Sequence, residues 1–432
     1  MLTNARIDIP KAILFPALFI PTFLGGVDST LFNSIANSLP VLTDSWRLWF
    51  IDAFSIALAA SVVLGSRLGA RIGPGVTLGI GLLVFAISCA GPALLSSPEA
   101  WTAARFVQGF GYALIISSVA SVVGDLPETA ERTLGYALWI STYSLGAGAG
   151  PILGRAFVDS GAYRLLFWLP TFAALLCGLF TWLFLRGIDL RQASSTRLDV
   201  ISSALAFLGF ALLVGGLQSH GSVLMRLLAA AFGCVVVAIF CFRQLRSDDP
   251  LIDVRMLSFA RLGVCALTLA IGAGCYTGSI LLFSAKAHSL LSILPVSILA
   301  VWVSFGGFVF SKMHARFPPV RLLQVSLAVC AVGLIAAAFI GLWPASLLIG
   351  LGVGVTMAAG DGYLLGSVPS KDVARAAALQ ETSLAAGQAV GVAGFGTILA
   401  GTSSVATTAV IAAIIVIVVG WILRFNRGTL TA

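Results

Sequence analysis

The chain has 432 residues, 59% of them hydrophobic and only 10% charged, with a mean hydropathy of +1.04. A soluble globular domain carries about 25% charged residues, so this composition excludes one. The net charge of +8 is spread over short segments between apolar runs, which excludes a single basic patch for nucleic acid and points to membrane topology.

Apolar runs of about 20 residues recur from end to end, each long enough to cross a bilayer as a helix. Barrel strands would be shorter and alternate in polarity. The chain therefore reads as an all-α polytopic membrane protein. The predicted spans are 12–38, 48–69, 76–95, 100–124, 134–158, 164–186, 198–217, 222–243, 262–284, 288–312, 320–342, 343–365, 376–400 and 404–424. The least marked junction is at Leu342, Trp343 and Pro344, where little polar sequence separates two spans. The first run holds Asp28, Thr30 and Asn33 and is too long for a secretory h-region, so it reads as a retained helix. With the N-terminus inside, nineteen of the basic residues fall in cytoplasmic segments, whereas Arg47, Arg155, Arg164, Arg226 and Lys286 fall outside. This bias predicts a multi-pass protein of the inner or plasma membrane with both termini cytoplasmic.

Two polar stretches divide the chain, one from Arg186 to Arg197 and one from Gln244 to Arg261. They imply segments 1–186, 187–261 and 262–432, holding six, two and six spans. The seven cysteines lie in apolar runs without a C-x-x-C pair, so neither a metal site nor a disulfide framework is expected. His220, His288 and His314 are scattered. Trp46, Trp49, Trp101 and Trp343 fall near predicted helix ends and are expected to anchor the membrane interface.

Ionisable side chains at membrane depth are costly and point to function by default. The candidates are Asp28, Asp52, Arg105, Asp361 and Glu381. Asp28 lies about 24 Å up the first span, and Arg105 about 8 Å below the outer end of the fourth, so the two share a depth near the outer side. They can serve as a static tie between helices or as a proton-coupling pair. Asp52, one turn into its span, and Asp361 and Glu381, towards inner ends, fit either a cavity or a hydrated interface.

In the fifth span, Gly146, Gly150 and Gly154 recur at i, i+4 and i+8 and leave one helix face without side chains. In lipid such a face admits a neighbouring backbone. Pro151 removes a donor and frees the carbonyl of Ala147. The order G-x-x-x-G-P-x-x-G resembles the antiporter motif of drug exporters in the major facilitator superfamily. The first span reads Asp28-Ser-Thr30-Leu-Phe-Asn33, similar to D-x-T-x-x-N of the fourteen-span drug:proton antiporters. The second begins Trp49-Phe-Ile-Asp52-Ala-Phe54, close to W-x-x-D-A-Y. The fourth holds Arg105-Phe-Val-Gln108-Gly109-Phe-Gly111-Tyr-Ala113, a full match to R-x-x-Q-G-x-G-x-A. Leu198-Asp199, Pro250-Leu-Ile-Asp253-Val-Arg255 and the stretch from Gln380-Glu381 to Gly387 and Gly391 also resemble that branch. The loop after the second span departs from L-x-D-R-x-G-R-R: Arg71 and Gly73 remain, but Ala70 replaces the acid, and Pro74 and Gly75 replace the following basics.

The resemblance implies the major facilitator fold, two six-helix bundles with two inserted linker helices. It implies a monomeric, proton-coupled antiporter that exports amphipathic organic compounds by alternating access, in the class of multidrug efflux and antibiotic resistance. Asp28, Arg105, Glu381 and Asp361 are then candidates for proton coupling. Asp52, Asn33 and Gln108 are candidates for the cavity. Gly146, Gly150, Pro151, Gly154, Gly73 and Arg71 belong to conformational motifs. Protons, lipid and a small molecule are the implied partners. An exporter of one endogenous metabolite or natural product is the alternative, and the Ala70 change leaves room for a non-transporting sensor. No Walker loop, H-E-x-x-H or G-x-S-x-G occurs, so neither ATP drive, a cofactor nor an enzyme is expected.

Overall fold

The computed structural model describes residues 11–124, 126, 129–184, 199–218, 223–247, 250, 260–285, 289–313, 316–366, 373–402 and 404–425. His220, His288, His314 and residues 251–255 of the linker motif lie outside them. Among the described residues the chain forms fourteen α-helices and one short 3₁₀ turn. The helices are α1 (Lys11–Ile35), α2 (Asp44–Ile72), α3 (Pro74–Leu94), α4 (Pro98–Gly124), α5 (Thr129–Asp159), α6 (Leu165–Phe184) and α7 (Val200–Gln218). They continue with α8 (Val223–Arg246), α9 (Ala260–Ser284), α10 (Leu290–Met313), α11 (Pro319–Phe339), α12 (Leu342–Gly366), α13 (Val373–Thr402) and α14 (Val405–Phe425). An apolar run in lipid must satisfy its backbone internally, and the helix does so without a partner strand. Ten of these helices are long and apolar enough to cross a bilayer, and α2 makes an eleventh if its two bent parts count as one span.

The breaks have local causes. Gly73 sits at φ 93, a left-handed value that costs glycine little, and Pro74 then starts α3 where its missing N–H is not needed. The least marked junction of the sequence breaks at Ile340 and Gly341, with Gly341 at φ 137. Helix α2 bends by 49° between Val62 and Leu64; the pair Gly65-Ser66 just beyond is a known cause of such bends.

The packing repeats. In the first half α1 packs on α5, α2 on α4, and α3 on both α4 and α6. In the second half α9 packs on α13, α10 on α12, and α11 on both α12 and α14. The partners occupy the same places in each set of six helices, although the two halves show no clear sequence repeat. The halves meet through α1 with α9, α2 with α13 and α5 with α10, again in matched positions.

The pair α7 and α8 stands apart. Helix α7 packs on α8 and also touches α2 and α13, while α8 leaves Leu224, Leu228, Phe232, Val235 and Phe242 exposed, an apolar face suited to lipid. A polar clasp closes this hairpin. Asp199 Oδ1 accepts from the Ser202 backbone N–H at 3.0 Å, which caps α7. Arg243 at the end of α8 donates to Ser202 Oγ at 3.0 Å and to Asp199 at 3.3 Å. Partial burial pushes the Asp199 carboxyl up, but the Ser202 hydrogen bonds and the Arg243 charge together hold it below the usual carboxylate range. Asp199→Ala removes cap and pair together, and a loss of about 0.5–2 kcal/mol is expected on thermal unfolding in detergent. An unchanged melting temperature would show that the clasp adds nothing.

Candidate functional site

Helix α5 lies on α1 along its glycine face. A Cβ on Gly146 would come 2.2 Å from the Phe23 carbonyl oxygen, and one on Gly150 would come 2.4 Å from Thr30 Oγ1 and 2.5 Å from the Val27 carbonyl oxygen. At Gly154 it would meet Ile35 at 2.9 Å. The contact is reciprocal, since a Cβ on Gly26 of α1 would strike the Tyr143 carbonyl at 2.0 Å. Two backbones therefore touch over the middle of the first half. The carbonyl of Ala147, freed by Pro151, accepts from Thr30 Oγ1 at 2.7 Å. A proline on one helix and a threonine on the other thus complete each other's polar requirement in an apolar surrounding.

The same device seats α4. A Cβ on Gly109 would come 2.3 Å from the Phe54 carbonyl oxygen of α2, and one on Gly111 would come 2.8 Å from the Phe85 nitrogen of α3. With α4 held this close, Arg105 reaches α1. Its Nη1 donates to Asp28 Oδ2 at 2.6 Å and to Gln108 Oε1 at 2.7 Å. Gln108 Nε2 in turn donates to Asp28 Oδ1 at 2.9 Å and to Cys89 Sγ of α3 at 3.1 Å. All four side chains are buried. The guanidinium lies 4.8, 5.4 and 4.7 Å from the ring centres of Phe32, Phe50 and Phe54, inside a cation–π distance of each.

The chemistry of this cluster is one-sided. Both oxygens of Asp28 face donors, so the arrangement fits a carboxylate. A proton on either oxygen would set one donor against another. Turning the Gln108 amide does not relieve this, because its NH₂ would then face Arg105. Protonation of Asp28 therefore requires that α1 and α4 give up a contact, and the proton state and the helix packing are linked.

A narrow cavity opens beside the cluster, between the two halves. It is lined by Ser29, Asn33, Ile51, Phe54, Ser55, Arg105 and Tyr143 from the first half and by Tyr276, Thr277 and Gln388 from the second. It has room for about one water molecule. A drug-sized ligand fills roughly 300–1,000 Å³, so the halves must separate before one can enter.

Of the residues singled out in the sequence, the structure brings Asp28, Arg105 and Gln108 together and puts Asn33 on the cavity wall, its Nδ2 donating to the Ser29 carbonyl at 2.8 Å. Gln108 faces the ion pair and not the cavity. Asp52 is fully buried on α2 and is not among the cavity-lining residues. Glu381 and Asp361 neighbour each other, on α13 and α12. Trp101 departs from its expected interfacial role: it is buried, packs on Phe50 and Phe167, and donates from Nε1 to the Leu95 carbonyl at 2.9 Å. Arg71 is exposed beside Gly73 at the end of α2, and the buried Arg67 one turn earlier donates to the Pro250 carbonyl at 2.8 Å. Tyr143, Tyr276, Thr277 and Gln388 were not singled out. Polar residues inside apolar spans were the available signal.

The chain matches the family model described as Major Facilitator Superfamily over residues 18–345. It is 28% identical to the multidrug efflux pump LfrA of Mycolicibacterium smegmatis, across 89% of this chain and 80% of that protein. It is 24% identical to the methylenomycin A resistance protein of Streptomyces coelicolor, across 93% of this chain and 88% of the relative. Among solved structures, a POT family transporter in complex with 5-aminolevulinic acid superposes with a TM-score of 0.72, at 16% identity and 98% and 96% coverage of the two chains.

Proposed function

We propose that this chain, which belongs to the major facilitator superfamily, is a proton-coupled antiporter that exports amphipathic organic compounds from the cytoplasm. The observation that carries the reading is the buried cluster of Asp28, Arg105 and Gln108, of which Arg105 reaches the cavity wall. A carboxylate surrounded only by donors cannot take a proton without loosening α1 from α4, so protonation and rearrangement go together. The names of its relatives support efflux of drugs. The repeated packing of α1–α6 and α9–α14 supports two six-helix bundles that rock about the cavity, with α7 and α8 inserted between them. We take the bundles to be 1–186 and 262–432, with 187–261 as the linker. Fourteen spans, both termini in the cytoplasm and a monomer complete the proposal, and Asp361 and Glu381 remain second candidates for the coupling proton.

A second reading, export of one particular compound, draws on the narrow cavity. Its hydroxyls and amides from both halves are fixed close together, a setting that favours one hydrogen-bonding pattern. Purified protein in liposomes separates these readings. Under an imposed pH gradient, ethidium and Nile red, a cationic and a neutral amphipathic dye, should both accumulate against their own gradients, and a protonophore should stop them. Accumulation of one alone would favour the narrower exporter. Accumulation of neither would overturn export of amphipathic dyes.

A further inference from the structure

Tyr112 lies on α4 two turns inward of Arg105. Its side chain is only 3% exposed, and its hydroxyl has no hydrogen-bond partner among the described residues. The phenol fills a notch in α1: a Cβ on Gly25 would stand 2.1 Å from the hydroxyl oxygen. Gly25 is one turn inward of Asp28. An unpaired buried hydroxyl is destabilising, and phenylalanine would fill the same space without that cost. Tyr143, on α5, lines the cavity with its hydroxyl beside Ser29. The two tyrosines stand within electrostatic reach of each other and of both Asp28 and Glu381.

The heights are ordered. At 1.5 Å per residue, Asp28 is about 25 Å from the first end of α1, Tyr143 about 21 Å along α5, Tyr112 about 18 Å from the last end of α4, and Glu381 about 12 Å along α13. With the N-terminus inside, all four distances run from the inner ends. The carboxylates then bracket the two phenols.

We propose that Tyr112 and Tyr143 relay a proton between Asp28 and Glu381. The proposal rests on the proton-coupled reading above. When the cavity opens, water joins the groups. The protonated Asp28 gives its proton to the Tyr143 oxygen as the Tyr143 O–H proton passes to Tyr112, whose own proton passes to Glu381, so the order of transfer follows the order of heights. Asp28 is left a carboxylate, free to regain Arg105 and Gln108. Glu381 becomes a neutral acid, both phenols are restored, and no electron moves. Other groups face this route from each packed element: Arg105 on α4, Cys89 on α3 at Gln108, Tyr276 on α9 near Tyr143, and Asp361 on α12 beside Glu381.

The test compares Tyr112→Phe with Asp28→Asn in liposomes, using whichever of ethidium or Nile red the wild type carries. For Tyr112→Phe, accumulation driven by a pH gradient should fall at least about tenfold, while dye-for-dye exchange at equal pH stays within about twofold of wild type. A variant that loses drive and exchange equally would mark Tyr112 as structural and overturn the relay. Full gradient-driven accumulation by Tyr112→Phe, with Asp28→Asn inactive, would overturn the relay and leave coupling at Asp28 intact. Full accumulation by both variants would overturn the relay together with coupling at Asp28.

Discussion

Asp28→Asn is expected to abolish dye accumulation under a pH gradient while leaving the protein folded. Asparagine keeps the size of the side chain and an acceptor for Arg105 Nη1, which lies 2.6 Å from the present carboxylate. It cannot take or release a proton, so it holds one state of the switch. Its NH₂ would face the Gln108 amide, and that repulsion mimics the protonated acid. Gradient-driven flux should fall by at least about a hundredfold, the low end of what a positioned proton-transfer group contributes. Full flux would remove Asp28 from the coupling role and move attention to Glu381 and Asp361. Arg105→Ala is different in kind. It leaves a buried acid without its partner, at a cost of about 3–5 kcal/mol, so both the folded fraction and transport should fall.

Gly150→Leu is expected to prevent folding. Even the first carbon of the new side chain would come 2.4 Å from Thr30 Oγ1 and 2.5 Å from the Val27 carbonyl oxygen. The second obstacle is backbone and has no rotamer to adopt. Helix α1 would have to move away from α5, and with it Thr30 would leave the Ala147 carbonyl, 2.7 Å away. A buried carbonyl left unpaired costs about 1–3 kcal/mol on its own, beyond the steric term of about 1–3 kcal/mol or more. Gly148→Ala, two residues away, is the control. Its Cβ would meet a Val301 methyl at 3.2 Å, a side chain that can turn aside, and the change should stay below about 1 kcal/mol. Size-exclusion profiles and melting curves in detergent check both variants. A monodisperse Gly150→Leu protein melting as wild type would contradict the packing described.

Much of this architecture was legible in the sequence because lipid leaves an apolar run few choices. Most helix ends follow from where polar residues interrupt those runs, whereas the break at Gly341 falls just ahead of the junction read at Leu342, Trp343 and Pro344. The glycine face of α5 and the carbonyl freed by Pro151 were both readable from spacing. Which helix filled that face was not, because a small-residue seam states closeness without naming the partner. Rise per residue set Asp28 and Arg105 at one depth, and the structure joins them. Rise gives height and not direction, and this limit accounts for the rest. Asp52 and Trp101 sit near helix ends in sequence yet point inward and are buried. Gln108 turns towards the ion pair. Tyr112 reads as one aromatic among many until the notch at Gly25 shows where its hydroxyl lies. The replacement of an acid by Ala70 drew attention to the loop between α2 and α3; the structure shows Arg67, one turn earlier, holding the Pro250 carbonyl there.

Proton-coupled export is tested most directly by following both species at once. Liposomes holding the wild-type protein and a trapped pH indicator, with equal pH on both sides, are given ethidium or Nile red outside. Entry of dye should drive protons out, so the lumen should become alkaline at a rate that tracks dye uptake, and Asp28→Asn should show no such change. Dye entry through the protein with the lumen pH unmoved would contradict the account.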